Sequence, residues 1–403
     1  MNSATDELPS GRVATLALCG LAALLEGFDT QSMGVAGPRV IAEFHLAPSQ
    51  AAYIFSSTTL GLFVGAALGG RLADHLGRKR ALIGSLLLFG VFSLLTAATG
   101  GSSSLIAVRL LTGLGLGGAM PNFIALASEN TTGRERLSVV TVIMAAMPFG
   151  GAIAALVALA AGISGWSWRS IFYVGGLAPL LLSLVMALWL RESRPGSAAD
   201  NQDGVESVSS VLFRDGRLGT TWLLWTAYFF SQLVLLLMLN WLPTLILAAG
   251  FSKTQGSLAA VCFNLGGSTG SFILGRLHAG EHRRRWVAVT YSGMVAALAA
   301  VASAGSDFVI AGLACAVAGV FIVGATLILF ALAPLYYPTR IRGTGVGAAV
   351  ATGRLGSVVG PLFAGALLSA GGSSGTVLLS IVPFVLIGGS AAFALTFKRQ
   401  SGD

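Results

Sequence analysis

The chain has 403 residues, of which 55% are hydrophobic and 10% charged, and its mean hydropathy is +0.82. A soluble globular domain carries about 25% charged residues, so this composition excludes an ordinary soluble enzyme or binding module and predicts an integral membrane protein. The net charge of +8 does not indicate nucleic-acid binding, because the basic residues follow the pattern of cytoplasmic membrane loops.

Twelve stretches are long and apolar enough to cross a bilayer, which takes a helix of about 20 mostly apolar residues. In chain order the predicted spans are residues 13–36, 50–73, 81–100, 104–127, 136–161, 168–190, 219–247, 254–278, 286–304, 308–332, 343–369 and 375–397. The polar segment 191–218 separates two sets of six. We therefore predict an all-α membrane protein with an N-terminal six-helix bundle (1–190), a cytoplasmic linker (191–218) and a C-terminal six-helix bundle (219–403).

Two acidic residues interrupt the first span, where Glu26 and Asp29 lie three residues apart on one helix face. An acidic side chain at the bilayer centre costs about 2.5 to 3.5 kcal/mol on insertion scales, so a helix that keeps two of them indicates function. A poorly hydrated cleft disfavours the charged form of a carboxyl group, which can then exchange a proton near neutral pH. We predict that one of them carries a transported proton; the alternative is that they only join helix 1 to a neighbour.

Glycine is frequent, at 54 residues, and recurs at four-residue spacing within the spans, as in Gly61, Gly65 and Gly69, in Gly113 and Gly117, and in Gly356 and Gly360. Small residues on one helix face allow close approach where lipid provides no hydrophobic driving force between helices. The pattern predicts a tightly packed bundle.

The distribution of Lys and Arg predicts the orientation. If both termini are cytoplasmic, 19 of the 24 basic residues lie in cytoplasmic segments, three lie in outer loops, and Arg109 and Arg354 lie inside spans. This asymmetry follows the positive-inside rule. We expect a multi-pass protein of the inner (plasma) membrane with both termini in the cytoplasm.

Residues 70–80 form the loop after the second span. A similar sequence recurs at residues 275–285, after the eighth span. Two six-helix repeats joined by a linker are typical of secondary transporters whose site lies between the halves, near the membrane midplane. The second copy has Ala279 where the first has Asp74, so we expect any charged gate to depend mainly on the first half.

Two motifs resemble the major facilitator superfamily: GGRLADHLGRKR at residues 69–80 resembles its loop after helix 2, and RLLTGLG at 109–115 resembles its helix-4 motif. Within it, four segments resemble the aromatic acid/proton symporters: EGFD at 26–29, GLGGAMPN at 115–122, NWLPTL at 240–245 and YPTRIRGTGVGAAVATGRLGSVVGP at 337–361. Glu26, YSGM at 291–294 and ALAPLYY at 331–337 are most similar to the hydroxyphenylpropionate transporters of that family.

The resemblance implies proton-coupled uptake of an aromatic carboxylic acid, such as a hydroxyphenylpropionate or a hydroxybenzoate, by alternating access. Arg354 is the expected ligand of the acid's carboxylate, because a guanidinium keeps its charge and matches a carboxylate with two parallel hydrogen bonds. Arg109 lies at a depth in the membrane similar to that of Asp29. It therefore either assists Arg354 in substrate binding or balances the negative charge of Asp29. Further candidate ligands are Asn122, Asn240 and Trp241, which could equally join helices.

The superfamily motif further implies an inner gate built on Asp74, Arg78 and Arg80; a basic loop that only sets the topology is the alternative. Candidate partners of this gate are Glu129, Arg134, Arg136, Arg340 and Arg342. We expect the gate to hold the cytoplasmic ends of the halves together in one of two conformations.

No motif of an enzyme or NTPase occurs, the four histidines lie at loops or helix ends, and the three cysteines are too far apart for metal-ligand spacing. We expect no catalysis, no metal and no cofactor; the partners are the bilayer, a proton and a small aromatic carboxylate, with the monomer as the working unit. Three alternatives stay open. An efflux antiporter of the same fold favours an apolar cleft without two arginines, a sugar/proton symporter favours more Asn and Gln, and a membrane sensor shows no uptake.

Overall fold

The structure is a computed structural model, which describes residues 11–131, 133–190, 212–213, 217–278, 282–338 and 341–398, leaving aside the side chains of 134, 136–138, 275, 276 and 278. The helices are α1 (Arg12–Glu43), α2 (Pro48–Leu76), α3 (Arg78–Ala97), α4 (Ser102–Glu129), α5 (Gly133–Ile163), α6 (Arg169–Trp189), α7 (Leu218–Ala248), α8 (Lys253–His278), α9 (Arg283–Ala302), α10 (Phe308–Leu332), α11 (Arg342–Ser369), α12 (Ser374–Ser380) and α13 (Val382–Leu395). Most of the predicted linker, with Arg340 and Ala279, lies outside the described residues.

Twelve membrane spans are present among the described residues, which confirms the predicted number; α12 and α13 together make the last one. Helix α1 is longer than predicted, since it continues through Pro38 to Glu43. Proline is tolerated inside membrane helices because neighbouring helices and side chains satisfy the freed backbone groups. Because the number of spans is even, Arg12 and Leu395 lie at the same face of the bundle, called here the terminal face, and the other side is the opposite face.

Glycine contacts hold the helices of each half together. A methyl group added at Gly61 or Gly65 on α2 would lie 2.0 or 2.1 Å from a carbonyl oxygen of α4, and one at Gly356 on α11 would lie 2.0 Å from the Phe229 oxygen on α7. These distances leave no room for a side chain, so the predicted packing role of the glycine stripes is confirmed.

Two groups of helices surround a central space. In the first half, α2 packs on α4, α3 on α4 and α6, and α1 on α5; in the second half, α8 packs on α10, and α7 on α11 and α13. The halves meet through α1 and α7, α2 and α11, and α5 and α8. The rings of Phe55 and Trp241 lie edge to face at 5.1 Å, and a methyl group at Gly34 would lie 2.2 Å from the Leu239 oxygen. Both contacts are near the opposite face, so that end of the central space is closed.

Candidate functional site

A cavity between the two halves encloses about 1150 Å³ of empty space, including its open mouth. It is lined by Glu26, Gly27, Thr30, Gln31, Met33, Phe55, Thr58, Thr59, Leu62, Met120, Met144, Met147, Pro148, Gln232, Leu235, Leu236, Leu239, Asn240, Asn264, Val323, Thr326, Leu327, Phe330 and Arg354. The lining comes from eight helices of both halves and is mostly apolar with a few polar groups. Small-molecule sites have this character.

Glu26 faces this cavity from α1. The side chain is fully buried, and neither carboxylate oxygen accepts a hydrogen bond. Buried carboxylates in folded proteins are normally hydrogen-bonded or paired, because desolvation of the charged form is costly. An acid without such partners in a cavity can gain or lose a proton without first breaking a network. The proton-carrier role of Glu26 stays a prediction, with which its burial and its lack of hydrogen-bond partners agree.

Arg354 is placed in the same cavity by α11, from the other half. Its Nη2 donates to Met120 Sδ at 3.3 Å, so the guanidinium reaches across to α4 of the first half. Arg354 and Glu26 interact electrostatically without a direct hydrogen bond between them. A thioether is a weak acceptor, so most of the donor capacity of Arg354 is left for a stronger anionic partner.

Unsatisfied polar atoms are concentrated in the cavity wall. Besides Glu26, hydrogen-bond partners are missing for the hydroxyls of Thr30 and Thr326, for Oε1 of Gln232, and for both polar atoms of the Gln31 amide. Each such atom in a native structure requires an explanation, and a bound molecule supplies one. The sequence prediction missed Gln31, Asn264 and the threonines, since polar residues within a helical bundle join helices as often as they bind ligands.

Asp29 and Arg109 form a separate cluster inside the first half. Arg109 Nη2 lies 3.1 Å from Asp29 Oδ2 and donates to the Asp29 backbone oxygen at 3.3 Å, while Nη1 donates to Asp29 Oδ1, also at 3.3 Å. Ser93 donates to Asp29 Oδ1 at 2.7 Å, and Arg109 Nε donates to Thr58 Oγ1 at 3.1 Å. Both charged side chains are fully buried and neither lines the cavity. The geometry favours charge balance over substrate contact for Arg109.

Removing one member of this pair is expected to destabilise the protein rather than to weaken substrate binding directly. Asp29→Asn or Arg109→Leu leaves one uncompensated buried charge, which costs about 3 to 5 kcal/mol, whereas replacing both partners costs less. Thermal unfolding in detergent should show a lower transition temperature for each single variant and partial recovery in the double variant. A stable Arg109→Leu protein that no longer binds substrate would assign Arg109 to the substrate instead.

The remaining predicted ligands differ in their positions. Asn240 lines the cavity, and its Nδ2 donates to Leu236 O at 2.8 Å. Asn122 and Trp241 are not among the lining residues. Asn122 Nδ2 donates to Gly118 O at 2.7 Å within its own helix, and Trp241 Nε1 donates to Pro361 O at 3.1 Å. Their contacts are those of packed helices.

Part of the predicted gate is assembled at the terminal face. Arg78 and Glu129 form an ion pair that joins the start of α3 to the end of α4, both in the first half. Asp74, near the end of α2, is exposed and makes no ion pair with any described residue. Arg342 Nε donates to Tyr337 O at 3.4 Å within the second half. The Arg78–Glu129 ion pair and the Arg342–Tyr337 hydrogen bond thus each lie within one half.

Comparison with known proteins gives a consistent result. A family model described as Major Facilitator Superfamily matches residues 19–361. The chain is 40% identical over 403 residues to the 3-(3-hydroxy-phenyl)propionate transporter of Escherichia coli (strain K12), covering 99% of this chain and 98% of that protein. It is 32% identical over 397 residues to the 4-hydroxybenzoate transporter PcaK of Pseudomonas putida, covering 91% and 88%. A solved structure, a bacterial homologue of the human lysosomal transporter Spinster, shares the fold with a TM-score of 0.79 at 17% identity, covering 96% and 97%.

Proposed function

The chain belongs to the major facilitator superfamily, and from this premise we propose that it takes up an aromatic carboxylic acid together with a proton by alternating access. The substrate class follows the relatives, which are named for hydroxyphenylpropionate and 4-hydroxybenzoate transport. One observation carries the mechanism: an unpartnered Glu26 and a weakly engaged Arg354 share one apolar cavity between the halves.

Competition for Arg354 couples the proton to the substrate. The anionic form of Glu26 attracts the guanidinium, and so does the carboxylate of an arriving substrate. Protonation of Glu26 removes the competing anion, so the proton and the acid bind with positive cooperativity. By thermodynamic reciprocity each strengthens the binding of the other. The apolar remainder of the cavity, which includes Met144, Met147 and Phe330, accommodates the aromatic ring.

The contacts between the halves support alternating access. The protein lies in the inner (plasma) membrane with both termini in the cytoplasm, so the opposite face is the outer face. Contacts of Phe55, Trp241 and Gly34 close this face in the described conformation. Outward opening separates these contacts and brings the cytoplasmic ends of the two six-helix bundles together. Since the cavity lies within one chain, a monomer suffices.

Uptake of a radiolabelled acid panel in a host that does not metabolise the acids tests this function. Cells that express the protein should accumulate 3-(3-hydroxyphenyl)propionate or 4-hydroxybenzoate above the level in cells without it, and a protonophore should abolish the difference. Accumulation of a sugar, or net export of the acids, would support the corresponding alternative transporter. Absence of any transport would favour a sensor.

The gate assignment gives a prediction of its own, because Asp74 makes no ion pair with a described residue in this conformation and can pair once the cytoplasmic ends meet. Each charge-assisted hydrogen bond of such a latch contributes about 1.5 to 3 kcal/mol, enough to shift a balanced two-state equilibrium tenfold or more. Asp74→Asn should therefore favour the conformation that is open to the cytoplasm, and uptake should fall more than substrate binding does.

Accessibility labelling measures this shift. In a background in which serine replaces the native cysteines, a cysteine placed at Ser128 of α4 should react faster in Asp74→Asn, and one at Thr244 of α7 should react more slowly. Asp74→Glu, which keeps the charge, serves as the matched control. Unchanged labelling in Asp74→Asn would mean that the loop serves topology alone.

A further inference from the structure

The polar groups of the cavity lie at two different depths. Depth in the cavity can be measured along helix α7, because Gly356 of α11 packs against Phe229 and Gly34 of α1 packs against Leu239. Phe229 and Leu239 are ten residues apart, which corresponds to about 15 Å along the helix at 1.5 Å per residue. Arg354 lies two residues before Gly356, and Gln31 lies three residues before Gly34. The backbone positions of Arg354 and Gln31 therefore differ in depth by about 13 Å.

This offset is preserved at the ends of the side chains. Side chains of a helix lean toward its N-terminus, and both α1 and α11 begin at the terminal face. Both side chains therefore lean in the same direction. The cavity presents a cation toward the terminal face and a neutral amide toward the closed opposite face, with the apolar wall between them.

The amide of Gln31 is distinctive among the polar groups at the closed end. Its side chain is 1% exposed, and neither Nε2 nor Oε1 has a hydrogen-bond partner. Two other lining amides are partly occupied, since Asn240 Nδ2 donates to Leu236 O and Asn264 Nδ2 donates to Ala260 O, both within their own helices. Of these three lining amides, Gln31 is the one with neither its nitrogen nor its oxygen engaged, so its full donor and acceptor capacity is available. A phenolic hydroxyl, which donates one hydrogen bond and accepts others, matches that pair.

The offset between Arg354 and Gln31 fits a substrate that has one polar group at each end. An extended hydroxyphenylpropionate measures roughly 8 Å from its carboxyl carbon to its ring hydroxyl, and a hydrogen bond of about 3 Å at each end brings the span to about 14 Å. With the carboxylate on Arg354, the ring lies against the apolar wall and its hydroxyl reaches the level of Gln31.

We propose that Gln31 is a specificity-determining residue that binds the ring hydroxyl of the substrate, so that the transporter selects hydroxylated over unsubstituted aromatic acids. This inference rests on the proposed transport of aromatic acids. When the ring has no hydroxyl, the buried Gln31 amide has no hydrogen bond to offset the cost of its desolvation. A site built to hydrogen-bond a hydroxyl therefore discriminates strongly against the analogue that lacks it.

Paired binding measurements test the inference. Purified protein in detergent is titrated with 3-(3-hydroxyphenyl)propionate and with 3-phenylpropionate, which differ only in the hydroxyl. The unmodified protein should prefer the hydroxylated acid by tenfold or more. Gln31→Met, which keeps the approximate shape of the side chain, and Gln31→Leu should reduce the preference to about twofold or less, mainly through weaker binding of the hydroxylated acid. The matched control is Gln232→Met, the same change at a lining amide whose side chain packs against Gly353, the residue before Arg354, and it should keep the preference.

Each outcome decides a different point. If the unmodified protein binds both acids equally, or if the folded Gln31 variants keep the tenfold preference, Gln31 does not read the hydroxyl although aromatic-acid transport stands. An equal loss of preference in Gln232→Met would assign the discrimination to general cavity polarity and overturn the role of Gln31. If the unmodified protein binds neither acid, the proposed function fails, and this inference fails with it. A melting curve for each variant verifies that the protein tested is folded.

Discussion

Glu26→Gln is expected to abolish accumulation of the substrate against its gradient while leaving exchange of internal for external substrate intact. Glutamine keeps the shape of the side chain but cannot release a proton, so it resembles the protonated acid permanently. The carrier can then change conformation with substrate bound but gains nothing from the proton gradient. In proteoliposomes with an imposed pH gradient, the accumulation ratio should fall to about one, whereas counterflow of labelled substrate should continue and should no longer vary with pH.

Glu43→Gln is the matched control, because Glu43 is an acid of the same helix at its far end, where it pairs with Arg169 at 2.8 Å. Such exposed pairs contribute about 0 to 1 kcal/mol, so this variant should accumulate substrate normally. Thermal stability of Glu26→Gln should stay close to that of the unmodified protein, since the carboxylate oxygens of Glu26 have no hydrogen bond to lose. Normal accumulation by Glu26→Gln with an unchanged pH profile would exclude Glu26 as the proton carrier.

Arg354→Lys is expected to weaken binding of the acid roughly ten- to a hundredfold, although the positive charge is kept. A lysine ammonium cannot make the two parallel hydrogen bonds that a guanidinium makes to a carboxylate, and the loss of one charge-assisted bond costs about 1.5 to 3 kcal/mol. Arg354→Gln, which also loses the charge, should bind still more weakly. Calorimetric or fluorescence titration in detergent measures both.

The same titration with the carboxamide analogue of the substrate identifies the group that Arg354 contacts. The unmodified protein should bind the amide much more weakly than the acid, and the difference should shrink in Arg354→Gln. Arg169→Lys, at the opposite face, makes the same chemical change away from the cavity and should leave both affinities unchanged. An amide that binds the unmodified protein as tightly as the acid would rule out the carboxylate as the ligand of Arg354.

The sequence was sufficient to predict the number and order of the spans, because a bilayer of fixed thickness requires about 20 apolar residues from every crossing helix. The ends of the helices were less predictable. Helix α1 runs seven residues past its predicted end at residue 36, since Pro38 does not interrupt a helix whose freed backbone groups are satisfied by its neighbours. Hydropathy marks the apolar core of a span and not the turns that extend beyond it.

The site was predictable where charge marked it. Glu26 and Arg354 stood out as ionisable residues within apolar helices, and they share the cavity. Asp29 and Arg109, equally conspicuous in the sequence, pair with each other instead. The direction of a side chain around its helix decides between these outcomes, and it depends on packing against helices that are distant in sequence. Gln31 could not be recognised for the same reason, since its amide is distinctive only in lacking a partner.

The glycine contacts of α2 bear on how this scaffold can acquire new preferences. Gly61 and Gly65 lie against the backbone of α4, while the side chains of Thr59 and Leu62, on the same helix, line the cavity. Close helix packing and the cavity lining thus depend on different residues of one helix. Exchanges at the cavity face leave the backbone contacts of the glycine face untouched. Substitutions of the lining residues alone can therefore alter ligand preference in natural or laboratory evolution. Almost any replacement of the glycines, in contrast, causes misfolding and is eliminated.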